Sequence, residues 1–151
     1  LATKIHWSQS LQWVLEAACR KEKIKYKTIK RLVKTRWNSF TVMLGSLLYL
    51  RKALDRLCAN DSNLPVLLNS DWVLIESLYG VLKPFIWFTE EFQNNKRPLI
   101  HEVLPLMDTI SHQLDDFKDN LDEHDLVRAA VERGIKILDK YYSKTDDSVV
   151  Y

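Results

Sequence analysis

The sequence predicts an all-α protein of about five helices in an irregular bundle. Three observations predict this class. Apolar residues recur at helical spacing through most of the 151 residues. Only three Gly and four Pro are present, which disfavours a fold built on many tight turns. The composition, 46% hydrophobic and 28% charged, is that of a globular protein with enough apolar surface for one core.

The first helix is predicted over residues 4–19, with Trp7 and Trp13 flanking its apolar face. That face comprises Ile5, Leu11, Val14, Leu15 and Ala18. Residues 21–34 alternate basic with apolar side chains. We predict a loop with a possible short helix there, and the alternation is also compatible with a short strand.

The second helix is predicted over residues 39–59, with Asn38 or Ser39 as its N-cap. Asn69 or Ser70 is the expected cap of the third helix, which extends to about Gln93. Pro84 lies inside this helix and should kink it, because proline removes a hydrogen bond.

The fourth helix is predicted from Pro98 to about Asn120, and Pro105 should kink or break it. The fifth is predicted over residues 123–142, followed by a tail over 143–151. We therefore expect a single helical domain or fragment, with a basic segment over 1–37 and a helical bundle over 38–142. The absence of an initiator Met favours a fragment or a processed chain.

The net charge of +2 conceals an asymmetry. Residues 1–56 carry 13 Lys or Arg against three Asp or Glu, whereas the rest carries nine against 17. Nine of the basic residues fall within 20–36, where Glu22 is the one acid. Such a block is typical of a nucleic-acid surface or a nuclear localisation signal, and equally of a solvated stretch.

Arg36 and Trp37 end this basic block. A guanidinium can bind phosphate with two hydrogen bonds, and an indole offers a face on which a base can stack. The alternative is that Trp37 is a core aromatic and Arg36 a surface cation.

A family resemblance rests on these residues. Thr35-Arg36-Trp37-Asn38-Ser39 followed by Met43-Leu44 resembles a signature of the hAT superfamily of DNA transposases. Further similar elements follow in the family's order, namely Trp72, Leu82-Lys83-Pro84-Phe85, Thr89, Pro98, Val103-Leu104-Pro105, Lys136 and Lys140-Tyr141-Tyr142. The resemblance covers roughly residues 28–142.

The resemblance implies a helical insertion domain of an RNase-H-like transposase whose catalytic core is mostly absent from this chain. That core uses three carboxylates and divalent metal such as Mg²⁺, and no acidic residue here matches them. The resemblance places Arg36 and Trp37 against the transposon-end DNA. Lys30, Arg31 and Lys34 would add non-specific attraction to phosphate. We therefore expect a nuclear, DNA-contacting segment with no catalytic residue and no metal or cofactor of its own, and a homo-oligomer is compatible with this expectation.

Other chemistries find no support in the sequence. The four histidines and two cysteines fit no metal-binding spacing, and no nucleotide-binding or hydrolase motif occurs. No apolar run reaches the length of a membrane span, and nothing indicates a small-molecule substrate. Two rival hypotheses stay open: a transposase-derived module for protein interaction or dimerisation, and an enzyme in its own right.

Overall fold

The computed structural model describes residues 1–33, 36, 38–93, 102–120 and 124–144. These residues form helices and loops without any strand, which confirms the predicted all-α class. They contain seven helices rather than about five: α1 (Ala2–Trp7), α2 (Gln9–Lys21), α3 (Asn38–Tyr49), α4 (Arg51–Asn60), α5 (Asn69–Phe92), α6 (Val103–Asp119) and α7 (Asp125–Tyr142). The chain divides into two compact units, Leu1–Tyr79 and Gly80–Tyr151. Whether the chain behaves as a single domain stays a prediction.

Ser8 divides the first predicted helix into α1 and α2. Its backbone is extended, and its hydroxyl accepts a hydrogen bond from the Leu11 amide at 3.4 Å. Serine is a favoured N-cap because its oxygen pairs with an amide that has no partner within the helix. The prediction of a single helix over 4–19 was therefore wrong, although the apolar spacing continues across the break.

Leu50 divides the second predicted helix into α3 and α4. Its φ of −97° and ψ of 7° interrupt the helical backbone, while its side chain is fully buried. The Leu50 amide donates to the carbonyls of both Ser46 and Leu47, as in the tightened last turn of a helix. The break changes the backbone without removing an apolar residue from the core.

The first unit has one continuous core, and α2 packs on α4 within it. Trp72 is the largest fully buried side chain among the described residues, and its indole N–H donates to Asp55 Oδ1 at 2.9 Å. This bond satisfies the one polar atom of the buried indole. Gly45 lets α3 approach Tyr79, since a Cβ there would stand 2.9 Å from the tyrosine ring. The other core members include Ile5, Leu15, Ile29, Leu47, Leu54 and Leu57.

Helix α5 begins at Asn69, so neither Asn69 nor Ser70 precedes it as the predicted cap. Asp71 instead accepts a hydrogen bond from the Leu68 amide at 2.8 Å, which is the backward half of a capping box. Pro84 lies inside α5, as expected. The kink at Pro84 stays a prediction.

The second unit pairs α6 with α7. Leu106 and Leu114 are buried on α6, and Val127 and Val131 on α7. The break expected at Pro105 does not occur, because α6 begins at Val103. Pro105 therefore lies in the first turn, where its missing N–H removes no helical hydrogen bond. The predicted start at Pro98 falls outside the described residues.

Candidate nucleic-acid interface

The basic segment begins where α2 ends at a left-handed turn. Lys23 has a φ of 57°, and its amide donates to the Arg20 carbonyl. The Ile24 amide donates to the Cys19 carbonyl at 2.9 Å. These two bonds form a Schellman motif, in which the left-handed position usually holds glycine. A lysine here accepts backbone strain and sends the chain away from α2.

Residues 24–33 then form neither helix nor strand, so the possible short helix and short strand are both absent from these described residues. Three hydroxyls of α3 anchor the segment. Tyr49 donates to the Lys25 carbonyl at 3.0 Å, Ser46 accepts from the Lys30 amide at 3.2 Å, and Ser39 accepts from the Val33 amide at 2.8 Å. From Lys25 to Val33 the residue numbers of the segment rise, while those of its partners on α3 fall from 49 to 39. The segment and α3 therefore run in opposite directions.

Between Lys23 and Lys30 the segment places apolar and basic side chains on different sides. Ile29 is 2% exposed in the core, and Ile24 and Tyr26 pack against the same core. The cations are exposed to solvent, and we call them the basic row: Lys23, Lys25, Lys27, Lys30 and Arg31.

No carboxylate in the described part of the chain forms an ion pair with the basic row. Glu22, the one acid of the segment, binds Arg56 instead, with the Arg56 Nε donating at 2.7 Å. The described residues consequently leave the positive charge of the row without an ion-pair partner, and such a charge attracts phosphate.

Arg36 is exposed and lies beside a groove of about 420 Å³. Ser39 fixes the backbone here, because its hydroxyl also donates to the Arg36 carbonyl at 2.6 Å. Both predicted caps, Asn38 and Ser39, lie inside α3, so neither holds the capping position before it. Lys34 and Trp37 lie outside the described residues. Lys30, Arg31 and Arg36 do line one groove, together with His6, Thr28, Ile29, Val33, Asn38, Ser39 and Val42.

Two cation–aromatic pairs lie along the basic row. The Arg31 guanidinium lies 5.4 Å from the centre of the Trp7 ring, and Lys27 Nζ lies 4.4 Å from that of Tyr49. Both distances are within the range of a cation–π attraction. Trp7, predicted to flank a core face, is in fact 71% exposed.

The sequence contained a weak indication that Trp7 is exposed. Tryptophan in the last turn of a short helix, next to a polar residue that can end it, has less certain burial than one in mid-helix. The pairing with Arg31, however, joins residues 24 positions apart and is visible only in the fold.

The cysteines are poor candidates for a nucleophilic site. Burial raises the pKa of the Cys19 thiol, and the nearby Glu16 carboxylate raises it further. Burial likewise raises the pKa of Cys58, with Asp55 adding to the effect. Both thiols are therefore protonated near neutral pH, when the thiolate is the reactive form. Among the described residues no group of His, Cys, Asp or Glu is placed to hold a metal ion.

Comparison with known proteins gives one partial similarity. The chain is 29% identical over 93 residues to "Putative transcriptional regulator tpeD" of the fungus Talaromyces stipitatus. The match covers 61% of this chain and 11% of the fungal protein. No protein-family model matches the chain, and no solved structure matches it significantly. In the described residues, no helix has the length and apolarity needed to cross a membrane.

Proposed function

We propose that this chain is a DNA-contacting segment, and that the basic row together with Arg36 forms its DNA surface. The observation that carries the proposal is the row itself: five exposed cations on a segment anchored to α3, with no carboxylate partner among the described residues. Cations held in this way gain phosphate contacts without first breaking internal ion pairs.

Two further lines support the proposal. The relative in Talaromyces stipitatus bears the name of a transcriptional regulator, a class that is compatible with DNA contact. The residues around Arg36 also resemble the hAT transposase signature. On that basis we propose a hAT-type transposase or transposase-derived parent, acting in the nucleus.

Within that parent, this segment would contact transposon ends and support a catalytic core that this chain does not supply. Arg36 would hold phosphate, Trp37 would stack on an unpaired base, and Lys34 would extend the basic row. The divalent metal implied by the resemblance is assigned no residue here, because the donor groups of the described residues do not converge.

Lysine footprinting tests the DNA surface directly. The chain is acetylated with and without a 20-base-pair duplex, and modification at each lysine is measured by mass spectrometry. We expect the duplex to protect Lys25, Lys27 and Lys30. Lys136 and Lys140, exposed on α7, serve as internal controls and should react equally in both samples. The proposed surface is refuted if each of the five lysines reacts to the same extent without DNA and at a saturating DNA concentration.

A second candidate function is protein association through α7. Leu126, Ile137 and Tyr141 are 67%, 58% and 59% exposed on this helix. Their separations of 11 and four residues place them on one helix face. Such a face suits a helical partner or a second copy of the chain. Light scattering distinguishes a second copy of the chain from a different helical partner, because a monomer at high micromolar concentration excludes the homodimer.

A further inference from the structure

The Trp7–Arg31 pair has a feature that phosphate binding alone leaves unexplained. A large indole is 71% exposed although it belongs to a unit with a well-formed core. Arg31 occupies one side of the ring at 5.4 Å, and His6 meets Trp7 in an edge-on contact with ring centres 5.1 Å apart. The high exposure shows that these two neighbours leave most of the ring surface open to solvent.

The adjoining groove contains unsatisfied polar atoms. His6 Nδ1 and Asn38 Oδ1 are both buried, and neither finds a hydrogen-bond partner within the described part of the chain. His6, Asn38 and Arg31 all line this groove of about 420 Å³. That volume lies within the range of small-molecule sites, and a bound group would supply the partners that these two buried atoms lack.

We propose that Trp7, Arg31 and this groove form a stacking site for an unpaired base, so that the chain prefers single-stranded DNA to duplex. The inference rests on the proposed DNA surface, because Arg31 belongs to the basic row. An unpaired base supplies a flat face for the indole and an edge rich in donors and acceptors for His6 and Asn38. Bases in an intact duplex already stack on one another, so their faces are closed to the indole, and their Watson–Crick edges are paired.

The pattern recurs one step along the segment. Lys27 lies over the Tyr49 ring, which is 41% exposed and is oriented by its hydroxyl bond to the Lys25 carbonyl. Cations beside exposed aromatic rings are the combination by which proteins bind single strands without reading sequence. Lys27 and Arg31 belong to the same segment, so a strand that follows the basic row would meet both pairs.

Affinity measurements on Trp7 variants test this site. Fluorescence anisotropy compares a 20-nucleotide oligo-dT with a 20-base-pair duplex at equal salt. We expect Trp7→Ala to weaken oligo-dT binding by about 5- to 150-fold, which is the usual range for losing one stacking contact. Duplex affinity should change less than about twofold, because charge carries it. Trp7→Phe keeps an aromatic face and should recover most of the loss.

Trp13→Ala is the matched control, because Trp13 is 66% exposed on α2, whereas the ring that lies beside Arg31 is that of Trp7. It should leave both affinities unchanged. An equal loss in Trp7→Ala and Trp13→Ala, or an equal loss on oligo-dT and duplex in Trp7→Ala, overturns the stacking site while the DNA surface stands. Wild-type binding to neither DNA overturns the DNA surface itself. Thermal melting of each variant confirms that affinity is compared between folded proteins.

Discussion

Removing two cations from the basic row should change the salt dependence of DNA binding by a calculable amount. Each duplex phosphate neutralised contributes about −0.9 to the slope of log K against log salt. With all five cations of the row bound, the slope is about −4.5, and duplex affinity falls about 500-fold between 50 and 200 mM salt. Without Lys30 and Arg31 the slope becomes about −2.7, and the fall shrinks to about 40-fold.

The assay is fluorescence anisotropy with a labelled duplex at four or more salt concentrations. Lys30→Ala/Arg31→Ala is compared with wild type and with Arg133→Ala/Lys136→Ala, which removes the same charge from exposed positions on α7. The difference of about 1.8 between the first two slopes does not depend on how many other cations bind. A slope that is equal in wild type and Lys30→Ala/Arg31→Ala refutes the phosphate role of the row. Equal flattening in the α7 variant would show a general charge effect instead.

The remaining predictions concern Lys23 and Trp37. Lys23→Gly should stabilise the chain by about 0.5–1 kcal/mol, because glycine adopts a positive φ without strain. Thermal denaturation checks it against Lys25→Gly, which removes the same charge at a position without that φ and should not stabilise. Trp37→Ala should cost about 1–3 kcal/mol of binding to DNA with an unpaired base and little stability. A large fall in melting temperature with unchanged affinity would make Trp37 a core residue, for which about 3–5 kcal/mol is expected.

The sequence identified most helical segments but not where they break. Ser8 and Leu50 both lie within uninterrupted apolar periodicity, and periodicity reports which side chains are buried rather than where the axis turns. The break at Ser8 rests on one hydroxyl-to-amide bond and that at Leu50 on one residue's dihedrals. Such local features are compatible with either outcome until tertiary packing selects one.

The positive charge of the candidate surface could be predicted from the sequence, but the aromatic residues that belong to it could not. The excess of cations before Arg36 is a property of the sequence. The structure shows that the cations of the basic row are exposed to solvent. The contribution of Trp7 and Tyr49 was not predictable. Each of these aromatics belongs to a helix, while the cation beside it belongs to the segment between α2 and α3. Only the fold brings them together.

In most loops the length and the side-chain charge can both change freely. The anchoring of this segment to α3 constrains its length but not its charge. Three hydroxyl contacts, from Tyr49, Ser46 and Ser39, fix the number of residues between Lys25 and Val33, since an insertion would break at least one of them. The side chains facing solvent carry no such constraint. Substitutions there can alter charge and affinity step by step, while the length of the segment is held constant by the helix beneath it.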